Sequence, residues 1–316
     1  MTSIVIVSGS DHNYFPLLRE MIQSIKRFPQ ARDFKFAVMD TGLTEEDLVW
    51  LRANVDYIHA PDWPTAIPAY KIRGRNYLKS CVCRPWINTY FPGHDVYVWM
   101  DADTWVQDWE GFALFLEGAD RGKLAIAGQV DRAYPRAVRI KWLGPLPLKL
   151  RGFYFSNAKQ AFGLKLAKKL YPHHVLQAGV FALRGDAPHW ARWQELVLQS
   201  IKRGKIFTAE QLCLGVLCYL EGFSFESLPA WAQWLCEVVP PFDESKGCFV
   251  EPFLPNKTIS ILHISGFDAM RRDRSVLTTL TTTSGRSYEG TLRNPHYNGE
   301  TDITILDTSP ERTHIG

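Results

Sequence analysis

Asp101 and Asp103 stand two residues apart, directly after the apolar run Val96-Tyr-Val-Trp-Met100, and Asp108 follows shortly after. Two carboxylates at a strand end can hold one hard divalent cation, and a cation held there neutralises a diphosphate. With 18 Asp in 316 residues, about one Asp-x-Asp arises by chance, so the position of this pair matters more than its spacing. In an open α/β sheet, ligands bind outside the carboxyl ends of the strands, and an apolar run of five residues ending in two acids would sit there.

The elements that must carry this pair alternate between two periodicities. Ile4 to Val7 is a β-branched run that ends in Ser8-Gly9-Ser10-Asp11, a strand followed by a polar turn. Leu17 to Phe28 has helical spacing and stops near Pro29. Phe34 to Met39 reads as a second strand, Thr44-Glu-Glu-Asp opens a helix with acids in its first turn, and Val55 to His59 reads as a third strand. A helical stretch around Tyr77 to Tyr90 leads to the Val96–Met100 strand. Leu124 to Ala127, Val175 to Leu183 and Ile259 to His263 are further strands, between helices near 109–118, 157–170, 188–203 and 208–220. This alternation predicts an α/β protein with a mainly parallel sheet covered by helices on both faces. Five prolines between Pro229 and Pro255 predict a long excursion, in which Trp231 and Trp234 are candidates to stack on a ring. Apolar content falls beyond Phe267. We therefore expect one domain over 1–270, with 271–316 a loosely docked extension or tail.

Composition narrows the function classes. Hydrophobic residues make up 46% and charged residues 22%, as in folded soluble proteins. Neither Cys81 and Cys83 nor Cys213 and Cys218 have zinc-knuckle spacing, so the six cysteines read as reduced, buried thiols of a reducing compartment. The N-terminus lacks the charged and apolar regions of a secretion signal, and no apolar run reaches the ~18 residues of a membrane span. The expected location is the cytoplasm. A formal charge of +3 is too small to predict a nucleic-acid partner. That balance conceals an asymmetry: Arg132 to Arg184 holds eleven Lys or Arg and no acid, leaving 25 basic residues to face all 33 acids elsewhere. Within it, residues 139–155 alternate basic and large apolar side chains. Such a segment suits an anionic surface, with Trp142, Leu146, Leu148 and Phe153 entering an apolar layer, and we expect peripheral membrane contact through 136–155 at the inner face. A solvated loop with its aromatics turned inward is the competing reading.

Several ordered motifs together resemble glycosyltransferase family 8, retaining enzymes of the GT-A fold, and in particular bacterial lipopolysaccharide galactosyl- and glucosyltransferases. Ser10-Asp11-His12-Asn13-Tyr14 is similar to the family's nucleotide-binding turn, and Phe36-Ala-Val-Met-Asp40 to its second strand. Arg84 falls where the family has an arginine before the Asp-x-Asp strand. Gly128-Gln-Val-Asp131 resembles a strand end that supplies a sugar-contacting aspartate. Gln177-Ala178-Gly179-Val180 resembles Asn-Ala-Gly-Val, Glu210-Gln211 resembles Asp-Gln, and His263-Ile-Ser-Gly266 the late His-x-x-Gly. The motifs span about residues 3–268. Gln177 replaces an asparagine and Glu210 an aspartate. The family's Lys-Pro-Trp is missing, and Arg271 and Arg272 are the nearest cations to replace that lysine.

The resemblance implies a GT-A-type, Rossmann-like domain that transfers a hexose or N-acetylhexosamine from a UDP-sugar to a glycan or glycolipid acceptor in polysaccharide biosynthesis. It implies Asp101, Asp103 and His263 as ligands of Mn2+ (or Mg2+), a set suited to Mn2+ because an imidazole joins two carboxylates. Asp11, Asn13 and Tyr14 would hold uracil and ribose, with Arg84, Gly266 and Arg271 near the phosphates. Asp131, Gln177, Glu210 and Gln211 would line the sugar and acceptor pocket, and an anionic or lipid-linked acceptor would account for the basic stretch. Three plainer roles stand beside these: a core histidine for His263, helix N-terminal stabilisation for Glu210 after Thr208, and an ion pair with a buried carboxylate for Arg84. Two other functions compete with the transferase. A haloacid-dehalogenase-like phosphotransferase would use Asp101 as nucleophile, although Trp105 stands where such enzymes have Thr or Val. A non-catalytic sugar-nucleotide or glycan-binding protein would use the same pocket without turnover.

Overall fold

The computed structural model describes residues 2–135, 138–297 and 306–307, with backbone alone at 142, 147–150 and 306–307. In chain order the strands are β1 (Ile4–Ser10), β2 (Lys35–Asp40), β3 (Tyr57–His59), β4 (Val96–Met100), β5 (Thr104–Val106) and β6 (Leu124–Gly128). A hairpin, β7 (Val138–Leu143) and β8 (Leu146–Gly152), precedes β9 (Leu176–Arg184) and β10 (Phe225–Leu228). There follow β11 (Trp234–Leu235), β12 (Phe242–Asp243), β13 (Cys248–Phe249), β14 (Ile261–His263), β15 (Thr278–Thr281) and β16 (Ser287–Gly290). The principal helices are α1 (Phe15–Lys26), α2 (Glu45–Asn54), α3 (Trp109–Asp120), α4 (Phe153–Phe162), α5 (Leu164–Leu170), α6 (His189–Arg203), α7 (Ala209–Gly215) and the short α8 (Asp268–Arg272).

Seven strands form one sheet in the order β10-β6-β9-β4-β1-β2-β3. All neighbouring pairs are parallel except those made by β9, which runs antiparallel between β4 and β6. The α/β, mainly parallel sheet expected from the sequence is what forms. Its central strands are buried on both faces, so they read as unbroken apolar runs. Alternate residues serve different cores: Val5, Val7, Tyr97 and Trp99 pack with α4, α6 and α7, while Ile6, Val96, Val98 and Met100 pack with α1 and α3.

A third core lies beneath β5, β11 and β14, where Trp105, Trp234, Leu262, Met270, Leu280 and Leu292 meet. Two expectations fail here. Trp234 is fully buried and donates to the Val238 carbonyl at 2.7 Å, so it offers no face to a sugar. Half-buried Trp231 lies under the Lys257 ammonium, 4.8 Å from its ring centroid. The segment after Phe267 is also not loosely docked as far as Asn294. Arg293 and Glu20 are both buried and joined by two hydrogen bonds of 2.6 and 3.0 Å, and Trp105 Nε1 donates to the Leu292 carbonyl at 2.8 Å. Apolar content is sparse there because a few buried residues and the ion pairs of Arg293 and Arg274 with Glu20 carry the attachment.

Within the basic stretch, residues 138–152 form a two-stranded antiparallel hairpin. Its register sets Arg139 opposite Arg151 and Lys141 opposite Lys149, with Leu143 and Leu146 flanking the turn, both about two-thirds exposed. Like charges directly opposite one another destabilise a strand pair, and an isolated hairpin is marginal in water. Phe153 is half-buried against the core. The expectations placed on Arg136 and on the side chains of Trp142 and Leu148 lie outside the described residues. No described helix is long and apolar enough to cross a membrane, and all six cysteines are free, five of them buried.

Candidate metal and nucleotide site

The two acids reach the sheet rim because β4 ends at Met100 and the chain turns at once. The amide of Asp101 donates to the Gly179 carbonyl of β9 at 2.8 Å, and both the amide and the hydroxyl of Thr104 donate back to the Asp101 carbonyl. The turn leads into β5, which pairs antiparallel with β14 and aligns Thr104 with His263. The Ile264 amide closes this junction on the Asp103 carbonyl at 2.9 Å. Strand register thus brings a distant imidazole to the acids. His263 Nε2 lies 3.4 Å from Asp103 Oδ1 and 3.9 Å from Asp101 Oδ2, and one donor atom from each of the three falls within 4.8 Å of the others.

Two glycines make room for this convergence. A Cβ on Gly179 would lie 2.6 Å from His263 Cε1 and 2.8 Å from Gln233 Nε2. Gly266 has φ +83, a left-handed conformation that favours glycine, and a Cβ there would meet Glu237 at 2.9 Å.

The surrounding charges treat the two acids differently. Burial pushes Asp101 up, against the pull of Arg84 and His263. Burial works on Asp103 as well, but His263 and Arg271 outweigh it and hold that carboxyl well below the usual range. Burial would lower His263; the Asp103 and Asp101 carboxylates overcome it and raise the imidazole. Arg271 donates to Asp103 Oδ2 at 2.7 Å, pairs with Asp268 and lies over the Tyr14 ring.

Arg84 opens a short 3₁₀ turn and is buried. Its guanidinium donates to Asp101 Oδ1 at 2.6 Å, to Ala178 O at 2.8 Å and to Ser80 O at 2.9 Å, and it lies over Trp99. Glu210 Oε1 stands 3.5 Å away. The guanidinium is thus the ion-pair partner of a buried carboxylate, and it also borders the large cavity beside the acids.

These groups open on a cavity of about 1120 Å³ at the carboxyl ends of the central strands. Asp11, Asn13 and Tyr14 form one wall; Asp11 accepts from the Tyr14 amide at 3.2 Å, fixing the 3₁₀ turn after β1. Gln177, Glu210 and Gln211 line the opposite side, and Gly266 and Arg271 border the acids. Gln177 donates to the Gly128 carbonyl at 3.3 Å and Gln211 to the Leu176 carbonyl at 2.9 Å. Gln177 Oε1 and Glu210 Oε2 are buried without a protein partner. Burial, only partly offset by Arg84, lifts the Glu210 carboxyl to about 7. The residue sits in the first turn of α7, but Thr208 makes no side-chain cap there.

Asp131 is not among the residues lining this cavity, although Gln129 and Pro135 on either side of it are; its Oδ1 accepts from the Ala133 amide at 2.8 Å in the turn after β6. The sequence reading also missed Gln233, which is fully buried with its Nε2 3.3 Å from His263 Nδ1, and the exposed Phe207 at the cavity edge. Neither carries a motif. Only the parallel pairing of β11 with β14, which aligns Leu235 with His263, could have pointed to Gln233.

A second cleft, of about 500 Å³, lies near β12 and β16. There Arg27 donates to the Val106 and Gln107 carbonyls, Gln107 to the Phe249 and Ile259 carbonyls, and Arg293 to Glu20. Polar groups consumed in this way offer little to a ligand.

No protein family and no curated protein matches this chain by sequence. Among solved structures, the chain is similar to galactosyltransferase LgtC in complex with donor and acceptor sugar analogs, with TM-score 0.49 and 14% identity over 83% of this chain and 87% of that one. An active-site mutant of LgtC gives TM-score 0.47 at 14% identity over the same shares. The apo structure of the bifunctional glycosyltransferase WbbM gives 0.49 at 16% identity over 84% of this chain, which spans under half of WbbM (46%).

Proposed function

We propose that this protein is a metal-dependent glycosyltransferase that moves a hexose or N-acetylhexosamine from a UDP-sugar to a glycan or glycolipid acceptor, with retention of configuration. One observation carries the reading: Asp101, Asp103 and His263 converge at the rim of a large cavity whose far wall holds buried polar atoms without protein partners. Two carboxylates and an imidazole are a donor set that fits Mn2+. Bound there, the cation would neutralise charge on a departing diphosphate.

The chain's own groups then divide the remaining work. Arg84 keeps Asp101 oriented through its 2.6 Å bond, and Arg271 and Arg272 supply positive charge where the diphosphate would lie. Tyr14, half-buried, offers a ring face to a base, and Asp11 and Asn13 offer hydrogen bonds to base and ribose. Glu210 Oε2 and Gln177 Oε1 are buried acceptors for sugar hydroxyls. A double displacement would need a nucleophile at Gln211, but an amide is a poor one. Departure and attack on one face, with the leaving phosphate taking the acceptor's proton, asks less of these residues.

The hairpin supports an anionic, lipid-linked acceptor and peripheral contact with the membrane. Its opposed Arg139–Arg151 and Lys141–Lys149 positions would be relieved by phosphates, and Leu143 and Leu146 lie exposed beside them. Co-sedimentation with anionic vesicles is expected, weakening as salt rises; equal binding to neutral vesicles would remove this part.

The decisive experiment screens UDP-Glc, UDP-Gal, UDP-GlcNAc and UDP-GalNAc for Mn2+-dependent release of UDP. Release from one donor, lost in Asp103→Ala, is the expected result. UDP binding with no turnover of any donor would leave a sugar-nucleotide-binding protein instead.

A further inference from the structure

We propose that Gln233 is a positioning residue that fixes which nitrogen of His263 carries the proton, leaving Nε2 free to donate its lone pair to the divalent cation. The inference rests on the cation site proposed above and adds to it a residue with no motif of its own. Gln233 ends the 3₁₀ turn Ala230–Ala232, where its amide closes on the Ala230 carbonyl at 3.1 Å. From there β11 runs parallel beside β14, and the fully buried side chain reaches the inner edge of the imidazole, 3.3 Å from Nδ1. Nε2, on the outer edge, faces the carboxylates. Gly179 closes the third side so tightly that a Cβ there would be 2.7 Å from Nδ1 and 2.8 Å from Gln233 Nε2.

The chemistry follows from the two ends of the amide. With Nε2 of Gln233 toward the ring, Oε1 is buried with no partner, which leaves its desolvation uncompensated. A half-turn of the amide, which preserves its shape, presents Oε1 to Nδ1 instead. Oε1 then accepts the Nδ1 proton, and the same bond leaves Nε2 as a bare lone pair. One rotation gives the orphaned oxygen a partner and prepares the ligand, and it moves the amide's N–H groups to the place the oxygen held. Partners of this kind, accepting the other ring proton behind a metal-bound histidine, typically change metal affinity 10–100-fold when removed.

The test is Mn2+ affinity measured by electron paramagnetic resonance on the full chain, with thermal melts as a check of folding. Gln233→Met keeps the volume and removes the acceptor; it should weaken Mn2+ binding about 10–100-fold. Gln233→Glu restores an acceptor at the same place and should recover the affinity or exceed it. A residue that only filled space would give the opposite order, because Met suits an apolar slot better than a carboxylate does. In wild-type protein loaded with diamagnetic Cd2+, the His263 Nδ1 proton should be visible, downfield and protected from exchange.

Wild-type Mn2+ affinity in Gln233→Met, a Glu variant no better than the Met variant, or an Nδ1 site without a proton in the Cd2+-loaded protein each overturns the proposal. Failure of the wild-type chain to bind Mn2+ overturns the cation site itself, and the proposal with it, so the two failures are distinguishable.

Discussion

The molecule buries two ionic clusters of similar size and uses them in opposite ways. On one side Glu20 of α1 receives both Arg293 and Arg274, Arg293 also donates to the Met270 carbonyl, and Asn294 donates to the Glu20 carbonyl. At the sheet rim Asp101, Asp103, Arg84, His263 and Glu210 are equally crowded, but Glu210 Oε2 and the neighbouring Gln177 and Gln233 oxygens have no protein partner. The first cluster is saturated, although Arg293 borders the smaller cleft; the second is unsaturated and faces the larger cavity. Unspent hydrogen-bonding capacity beside a cavity, rather than charge or burial as such, separates a site from a staple.

The largest effect that can break this contrast is at Asp103. Asp103→Ala should lower Mn2+-dependent UDP release by about 10³-fold or more while the chain still unfolds cooperatively. Full activity would sink the site. Arg293→Ala should do the reverse, costing about 3–5 kcal/mol in urea unfolding because Glu20 is left buried with a lost partner, with UDP affinity retained in the folded fraction. A neutral outcome would mean that the cluster at Glu20 does not hold the C-terminal segment.

Glu210 supplies the next test, through pH. Its folded carboxyl titrates near 7 against an ordinary value of 4.5, so the folded state binds the proton more tightly and loses stability as pH rises from about 4.5 to about 7. Glu210→Gln has no such loss. It should therefore match wild type near pH 4.5 and exceed it at pH 8 by on the order of 1–3 kcal/mol, measured by denaturant titration at both values. A constant difference across that range would show that the carboxyl is not held up by its surroundings. The smallest effect is expected of Arg274→Ala, on the order of 1–2 kcal/mol, because Arg293 still holds both oxygens of Glu20. A loss as large as that of Arg293→Ala would make the two arginines equal partners.

Much of the scaffold was legible from the chain, and for identifiable reasons. Val96–Met100 is apolar throughout because both faces of β4 are covered, and that run points straight at the two acids. Gly179 and Gly266 stood out within motifs, and both are sterically required. What stayed hidden depends on pairing at long range. Gln233 looks like any polar residue in a proline-rich stretch until β11 settles beside β14. Trp234 looked like a sugar platform because aromatic type says nothing about which way a two-residue strand faces. Asp131 follows a strand as the acids do, but one of its oxygens holds the Ala133 amide of its own turn. The C-terminal segment has few apolar residues, and its attachment through Arg293 and Glu20 leaves no periodic trace.

The pairing of β5 with β14 also sets a timetable. The acids leave the ribosome about 160 residues ahead of the imidazole that completes their cluster, and Arg293, which pairs with Glu20 of α1, follows later still. A nascent chain therefore displays two carboxylates without the imidazole, and the three groups converge only after β14 has been made. Termination between Leu228 and Ile261 would keep all seven strands of the main sheet and remove the imidazole from its rim.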